Sequence, residues 1–248
     1  MLDALLLLST AAFILAGTVI GIRLLLLAAR TRELPDFIVG FSLFDLSAVA
    51  YPLILYGNLG ALQLANAKLV MTASLVALAL GWAGVFFFTQ RVFRPGESWA
   101  LALALSGVAM LGYGLIAGAA YIQAAPDRAS LQSAHSPALW IELAAILVYS
   151  WTAIEGFRCW GQARRRLALG LADPLVVNRF LLWGTIGAAS LLSVAPSLLI
   201  TLAGGDGTQH VVARLSTAIG GFAASVALQF AFLPPAAYRR WLTRSATA

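Results

Sequence analysis

Apolar residues occur along this chain in seven long stretches, separated by short connections that hold most of the charged residues. A helix needs about 20 apolar residues to cross the ~30 Å hydrocarbon core of a bilayer, and each stretch is that long. The pattern therefore predicts an all-α integral membrane protein, a bundle of seven transmembrane helices that forms one domain over residues 1–248. The predicted spans cover residues 4–29, 36–57, 66–91, 98–123, 137–160, 174–203 and 211–234.

Composition agrees with this pattern, since 61% of the residues are apolar, 10% are charged and the mean hydropathy is +0.88. A soluble domain of this size needs far less apolar surface, and the spans leave no room for one. The first span follows Asp3 rather than a basic cluster, and no small-residue cleavage site comes after it. We therefore expect a retained helix and not a signal peptide.

Basic residues crowd into alternate connections and so predict an orientation. One side has only Lys68, Arg128 and Arg214 near its surface. By the positive-inside rule the N-terminus lies outside and the C-terminus in the cytoplasm. The fifth helix is expected to extend past its span through the arginines at 164–166. The basic side carries Arg30, Arg32, Arg91, Arg94, Arg158, Arg164, Arg165, Arg166, Arg239, Arg240 and Arg244.

The net charge of +6 follows from this topology and from contact with anionic lipid headgroups. It does not indicate a nucleic-acid groove, so the lipid bilayer is the expected partner and nucleic acid is not. No organelle signal is visible, and the arginine-rich, lysine-poor usage is typical of a bacterium. The sequence thus favours the plasma membrane, which is the inner membrane of a bacterium.

Spans one to three resemble spans five to seven. The triplet that begins at Gly21 and contains Arg23 reappears at Gly156 with Arg158, and the apolar run before Pro52 resembles the run before Pro196. With a single fourth span between them, both triplets start outside, which predicts a parallel 3+1+3 repeat. Chance similarity between Leu/Ala-rich helices is the alternative. The two predicted copies cover residues 4–94 and 137–241.

This 3+1+3 organisation resembles the broad superfamily proposed to join sugar-type facilitators, PQ-loop transporters, microbial rhodopsins and G-protein-coupled receptors. Asp45 in the second span, Arg91 at the end of the third and the Pro-x-x-Tyr spacing of 235–238 are similar to receptor features. The chain lacks the acidic residue before Arg91 and, with Cys159 as its one cysteine, lacks the outer disulfide. The resemblance implies a small-molecule ligand held between the two triplets.

A retinal pigment is excluded on chemistry. A retinal Schiff base needs a lysine amine deep in the bundle, and the one lysine, Lys68, lies near the outer mouth of the third span.

Ionisable residues inside spans are costly and indicate function. Asp45 lies nine residues into its predicted span, near the bilayer midplane. We expect it to act as a proton or coupling-ion site or a gate, or to form a structural pair with Arg23 or Gln229. Glu155 is expected to pair with Arg179 or Arg158. Together these side chains are predicted to form an inner polar layer, made of Arg23, Glu155, Arg158, Arg179 and Gln229.

Aromatic and hydroxyl side chains above that layer are candidates to line a ligand cavity. Their alternative role is anchoring the spans at the membrane interface. Pro52 and Pro196 predict bends that hinge the two halves, or that serve packing alone. The candidate liners are Tyr51, Trp82, Tyr113, Tyr149, Trp151, Trp183, Ser193 and Ser197.

No catalytic or cofactor motif is visible. The two histidines, His135 and His210, fall in outer connections without the convergent ligands of a metal site, so no metal or cofactor is expected. Hydrolase elbows, zinc-protease helices and nucleotide loops are also missing from the sequence, which disfavours an enzyme. A secondary transporter or facilitator is the favoured function. The alternatives are a receptor or sensor that signals through a cytoplasmic partner, and a membrane scaffold or assembly factor. A homo-oligomer or a cytoplasmic partner is among the expected partners of the chain.

Overall fold

The computed structural model describes residues 1–58, 62–132, 135–207 and 209–245 of the chain, and every regular element in this part is a helix. The side chains of His135 and Arg244 lie outside the described residues. Seven helices are long and apolar enough to cross a membrane, which makes the chain a multi-pass membrane protein.

Seven observed helices overlap the seven predicted spans. The fifth continues to Ala168 and so includes the arginines at 164–166, as expected. Two short helices lie outside the spans, Arg128–Gln132 before the fifth and Ala236–Ser245 after the seventh. The seven spans are Leu2–Thr31, Leu34–Gly57, Leu64–Phe93, Ser98–Ala124, His135–Ala168, Pro174–Leu202 and Val211–Phe232.

The spans pack as a ring in chain order, in which each span contacts the next and the first contacts the seventh. Their directions alternate. The Asp3 carboxylate pairs with Arg214, which joins the starts of the first and seventh spans. Lys68 Nζ donates to the Gln123 carbonyl oxygen at 2.8 Å, so the start of the third span meets the end of the fourth. We call the end at which the first, third, fifth and seventh spans finish the basic end.

Two glycines lie at close backbone crossings between neighbouring helices of the ring. A Cβ atom on Gly21 would lie 2.7 Å from the Phe44 backbone nitrogen, and one on Gly156 would lie 2.4 Å from that of Gly184. Small residues allow helices in lipid to approach backbone to backbone, where dispersion contacts stabilise the pair. Gly21 and Gly156 correspond in the predicted repeat, and each lies at the crossing of the first two spans of its half. The repeat itself stays a prediction.

The second span changes its helix type at its centre. Residues Asp45–Ala50 form a π-helical segment, and the Tyr51 N–H donates to the Leu46 carbonyl oxygen. Pro52 follows Tyr51. In an α-helix the ring of Pro52 would clash with the carbonyl oxygen of Ala48, four residues earlier, and the wider π-helical turn relieves that clash. Pro196, in contrast, lies inside an uninterrupted α-helix. The two prolines predicted to act as matching hinges therefore differ in local backbone structure.

The largest apolar core joins the third, fourth and fifth spans. Phe86, Leu111 and Val148 are each fully buried there, and Trp82 and Trp151 pack against the same cluster. This packing fixes one wall of the bundle and leaves the more open region between the first, second, sixth and seventh spans.

The glycine crossing generates a stability prediction with a control in the same helix. Gly156→Ala forces a methyl group against the Gly184 backbone, so overpacking should destabilise the fold by about 1–3 kcal/mol. Gly161→Ala meets no atom within 4 Å. We expect it to be neutral or stabilising by up to about 1 kcal/mol, because alanine favours the helix. Thermal unfolding in detergent compares the two, and equal midpoints would contradict the close crossing.

Candidate ligand cavity and its polar groups

A cavity of about 510 Å³ opens at the basic end between the first, second, sixth and seventh spans. Its charged lining residues are Arg23, Arg30, Arg179 and Asp36. An adjoining cavity of about 360 Å³ shares Arg23 and Arg179 and adds Arg239. Together we call these two spaces the basic cavity. It lies between helices of the two predicted triplets, at the level of Arg23 and Arg179 rather than above them, where the ligand cavity was predicted.

The basic cavity exists because the seventh span stops early. That span has 22 residues, whereas the first has 30 and the sixth has 29. The Leu233 N–H still donates to the Gln229 carbonyl oxygen at 2.7 Å, but Pro234 and Pro235 follow and have no N–H to donate. The chain leaves the helix at that point, so the first and sixth spans face an open space.

Three aromatic rings form the inner wall of the cavity. Phe88 and Trp183 have ring centroids 4.9 Å apart, and Trp183 meets Phe232 edge-on at 5.8 Å. We call these three residues the aromatic layer. Beyond it lies an apolar space of about 50 Å³, which also touches Phe88 and Trp183. The aromatic layer thus lies between the wide basic cavity and a nearly filled bundle centre.

Two of the predicted cavity liners reach these spaces. Trp183 lines both the basic cavity and the small central space, and Tyr149 lines the central space. Tyr149 is held in place by Trp82, whose Nε1 donates to the Tyr149 hydroxyl at 2.8 Å. Tyr51 packs edge-on against Phe13, with centroids 5.1 Å apart.

Three further predicted liners, Trp151, Ser193 and Ser197, contact other residues of the bundle instead. Trp151 packs against Phe86 and Trp99, whose rings lie 6.4 and 6.3 Å away. Ser193 donates to the Ala189 carbonyl oxygen within its own helix. Ser197 offers its carbonyl oxygen to the Thr201 hydroxyl at 3.0 Å, also within the sixth span. None of these three lines either space described above.

The prediction for Tyr113 is wrong. Its side chain is 59% exposed and stacks edge-on against Trp140 on the outer surface of the bundle. The fourth span is apolar on every side, so its sequence did not show which face turns inward.

Asp45 is buried in the second span at the start of the π-helical segment. Only 8% of its surface is exposed, and its Oδ2 atom has no hydrogen-bond partner among the described residues. It faces Gly81 of the third span, where a Cβ atom would lie 3.1 Å from Oδ2. The predicted pairing with Arg23 or Gln229 is wrong, because Arg23 lines the basic cavity and Gln229 is exposed.

Glu155 is the centre of a buried ion-pair network. Its Oε1 accepts from Arg94 Nε at 2.7 Å, and its Oε2 accepts from Arg158 Nη1 at 3.3 Å. The Glu155–Arg158 pair is confirmed, and the alternative partner Arg179 instead lines the basic cavity. Arg94 was missed as a partner. Its guanidinium also lies over Trp99, 5.1 Å from the ring centroid, so the network ties the third, fourth and fifth spans together.

No cluster of three or more His, Cys, Asp or Glu side chains is placed to hold a metal ion within the part of the chain that the structure describes. His210 has a structural role as a helix cap, because its Nδ1 accepts from the Val212 N–H at 3.2 Å.

Comparison of the chain with models of protein families, with curated proteins and with solved structures finds no match.

The Glu155 network generates a second stability prediction. Glu155→Gln removes the charge that two arginines share. Because Glu155 is buried but both arginines are partly exposed, the loss should be on the order of 2 kcal/mol. Glu97→Gln is the matched control, because Glu97 is exposed and forms no ion pair with a described residue. Its effect should stay within about 0.5 kcal/mol. Thermal unfolding measures the stability of both variants. Equal losses of stability would show that the Glu155 network does not stabilise the fold more than a surface carboxylate does.

Proposed function

We propose that this protein is a secondary transporter or facilitator that moves a small molecule through the space between its two helix triplets. One observation carries the proposal: a wide cavity enters the bundle from one end and stops at the aromatic layer. Trp183 lies nine residues into the sixth span, about 14 Å along a helix of 29 residues that is about 43 Å long. A cavity that enters the bundle from one side and is closed at an inner layer is the arrangement that alternating access requires.

The charge pattern assigns a direction to this cavity. By the positive-inside rule the basic end faces the cytoplasm, so the cavity is open to the cytoplasm in this conformation. The aromatic layer of Phe88, Trp183 and Phe232 is then the closed gate. Separation of the first and second spans from the sixth and seventh beyond that layer would open the other side.

Asp45 is the candidate for proton coupling. Burying an ionised carboxylate without a partner is expensive, and protonation removes that expense. Asp45 also begins the π-helical segment, and single π turns within α-helices are frequent at functional sites. Return of this segment to α-helical geometry would rotate Asp45 away from Gly81. In the proposal, such a rotation links the protonation of Asp45 to the opening of the bundle.

A receptor or sensor is the second candidate, and the C-terminal helix favours it. Tyr238 Oη in that helix donates to Asn178 Oδ1 of the sixth span at 3.0 Å. Arg239 and Arg240 are exposed on the same short helix. A ligand that moves the sixth span would therefore also move a basic surface on which a cytoplasmic partner could dock.

Uptake into liposomes tests the transport proposal. The purified protein should accumulate at least one solute from a mixed metabolite pool when a proton gradient is imposed, as measured by mass spectrometry of the liposome contents. Asp45→Asn cannot release a proton and should lose gradient-driven accumulation by at least tenfold, while keeping downhill exchange of the same solute. Glu97→Gln changes a surface carboxylate and should behave as the wild type.

The contrary outcomes are separable. Equal uptake with and without the gradient in wild type and Asp45→Asn would indicate a facilitator without proton coupling. No uptake of any solute by a folded protein that binds ligand would reject transport and favour the receptor.

A further inference from the structure

We infer that the basic cavity is a binding site for an anion that carries phosphate or carboxylate groups. That this anion is also the transported substrate rests on the proposed function. That the cavity binds an anion rests on the cavity alone.

The cavity holds an excess of unpaired positive charge. Arg23, Arg30, Arg179 and Arg239 line its two parts, and Asp36 is the one acidic residue among the lining residues. None of the four arginines forms an ion pair or a side-chain hydrogen bond with any residue that the structure describes. Elsewhere in the bundle the arginines that meet the packed helices do pair: Arg94 and Arg158 share Glu155, and Arg214 meets Asp3.

Membrane topology alone does not account for these positions. Arginines that only set orientation lie at helix ends and reach into the headgroups, as Arg165 and Arg166 do in the last turn of the fifth helix. Arg23 and Arg179 are exposed as well, but they lie further from their helix ends. Arg23 lies eight residues before the end of the first span at Thr31, about 12 Å into the helix. Arg179 lies five residues into the sixth span, about 8 Å. Both guanidinium groups line the open cavity and are accessible there to an anion, which would supply their counter-charge.

The chemistry of the lining suits a small organic anion. Guanidinium groups bind phosphate and carboxylate through two parallel hydrogen bonds, and arginines from the first and sixth spans line the same space. Phe88 and Trp183 provide an apolar surface for the rest of the molecule. The volume of about 510 Å³ falls within the range typical of small-molecule sites.

Two sources could supply this anion. A soluble metabolite could enter from the water at the basic end, and the phosphate of an anionic lipid could enter from the same membrane surface. Both present the same group to the arginines, so the chemistry alone does not separate them.

Thermal unfolding of the purified protein in a neutral detergent tests the site, because a ligand that binds the folded state raises its stability. The probes are pyrophosphate and citrate at constant ionic strength, and dioctanoyl phosphatidylglycerol with dioctanoyl phosphatidylcholine as its neutral control. We expect a saturable rise in the midpoint with at least one anionic probe. The double variant Arg23→Gln/Arg179→Gln should bind that probe at least about tenfold more weakly.

The matched control is Arg165→Gln/Arg166→Gln, which removes the same charge outside the cavity and should bind as the wild type. Stabilisation by pyrophosphate or citrate identifies a soluble anion, and stabilisation by phosphatidylglycerol alone identifies a lipid headgroup; both support the site. The inference is overturned if no anionic probe stabilises the protein or if the control variant loses binding equally. Should the first double variant not fold, Arg23→Lys and Arg179→Lys keep the charge, lose the paired hydrogen bonds and should still weaken binding.

Failure of this site and failure of transport give different results. Anion binding in a protein that moves no solute rejects transport and keeps the site. Proton-driven uptake of neutral solutes without anion binding rejects the site and keeps transport.

Discussion

The structure depends on one constraint, which is that backbone N–H and C=O groups within hydrocarbon must find their hydrogen-bond partners inside the protein. Each of the seven spans meets it by forming a helix long enough to cross the bilayer. Because lipid is as apolar as the side chains, the spans gain little from burial and associate through close packing instead. Gly21 and Gly156 lie at two of these close crossings between neighbouring spans of the ring.

The features of functional interest lie where this constraint is met in an unusual way. Pro52 disturbs the second span, and the π-helical segment before it begins at Asp45. Pro234 ends the seventh span short of its neighbours and leaves the basic cavity beside it. In both places a proline has no backbone N–H to donate, and the helix changes its form or ends. The candidate coupling residue and the candidate binding site therefore both lie next to a proline that disturbs its helix.

The sequence predicted the features that depend on local or summed properties. Span positions follow from hydropathy over about 20 residues, and the Glu155–Arg158 pair follows from their spacing on one helix. Contacts between spans depend on the rotation of each helix, which apolar residues on all sides do not reveal. For that reason the sequence predicted wrongly that Tyr113 faces inward and that Asp45 pairs with Arg23 or Gln229. It also gave no sign that Arg94 pairs with Glu155. The early end of the seventh span had a visible signal in Pro234 and Pro235.

The two proposals together constrain the energetics of transport. Moving one elementary charge across the membrane changes the free energy by about 2.3 kcal/mol per 100 mV. The membrane potential therefore either drives or opposes the transport of an anion, according to its direction. A proton on Asp45 that travels with a monovalent anion cancels its charge, and the membrane potential then neither drives nor opposes the step. Such coupling needs the two charges at separate places, so that the arginines do not pair with the carboxylate. The structure has this separation, since Asp45 faces Gly81 whereas Arg23 and Arg179 line the cavity.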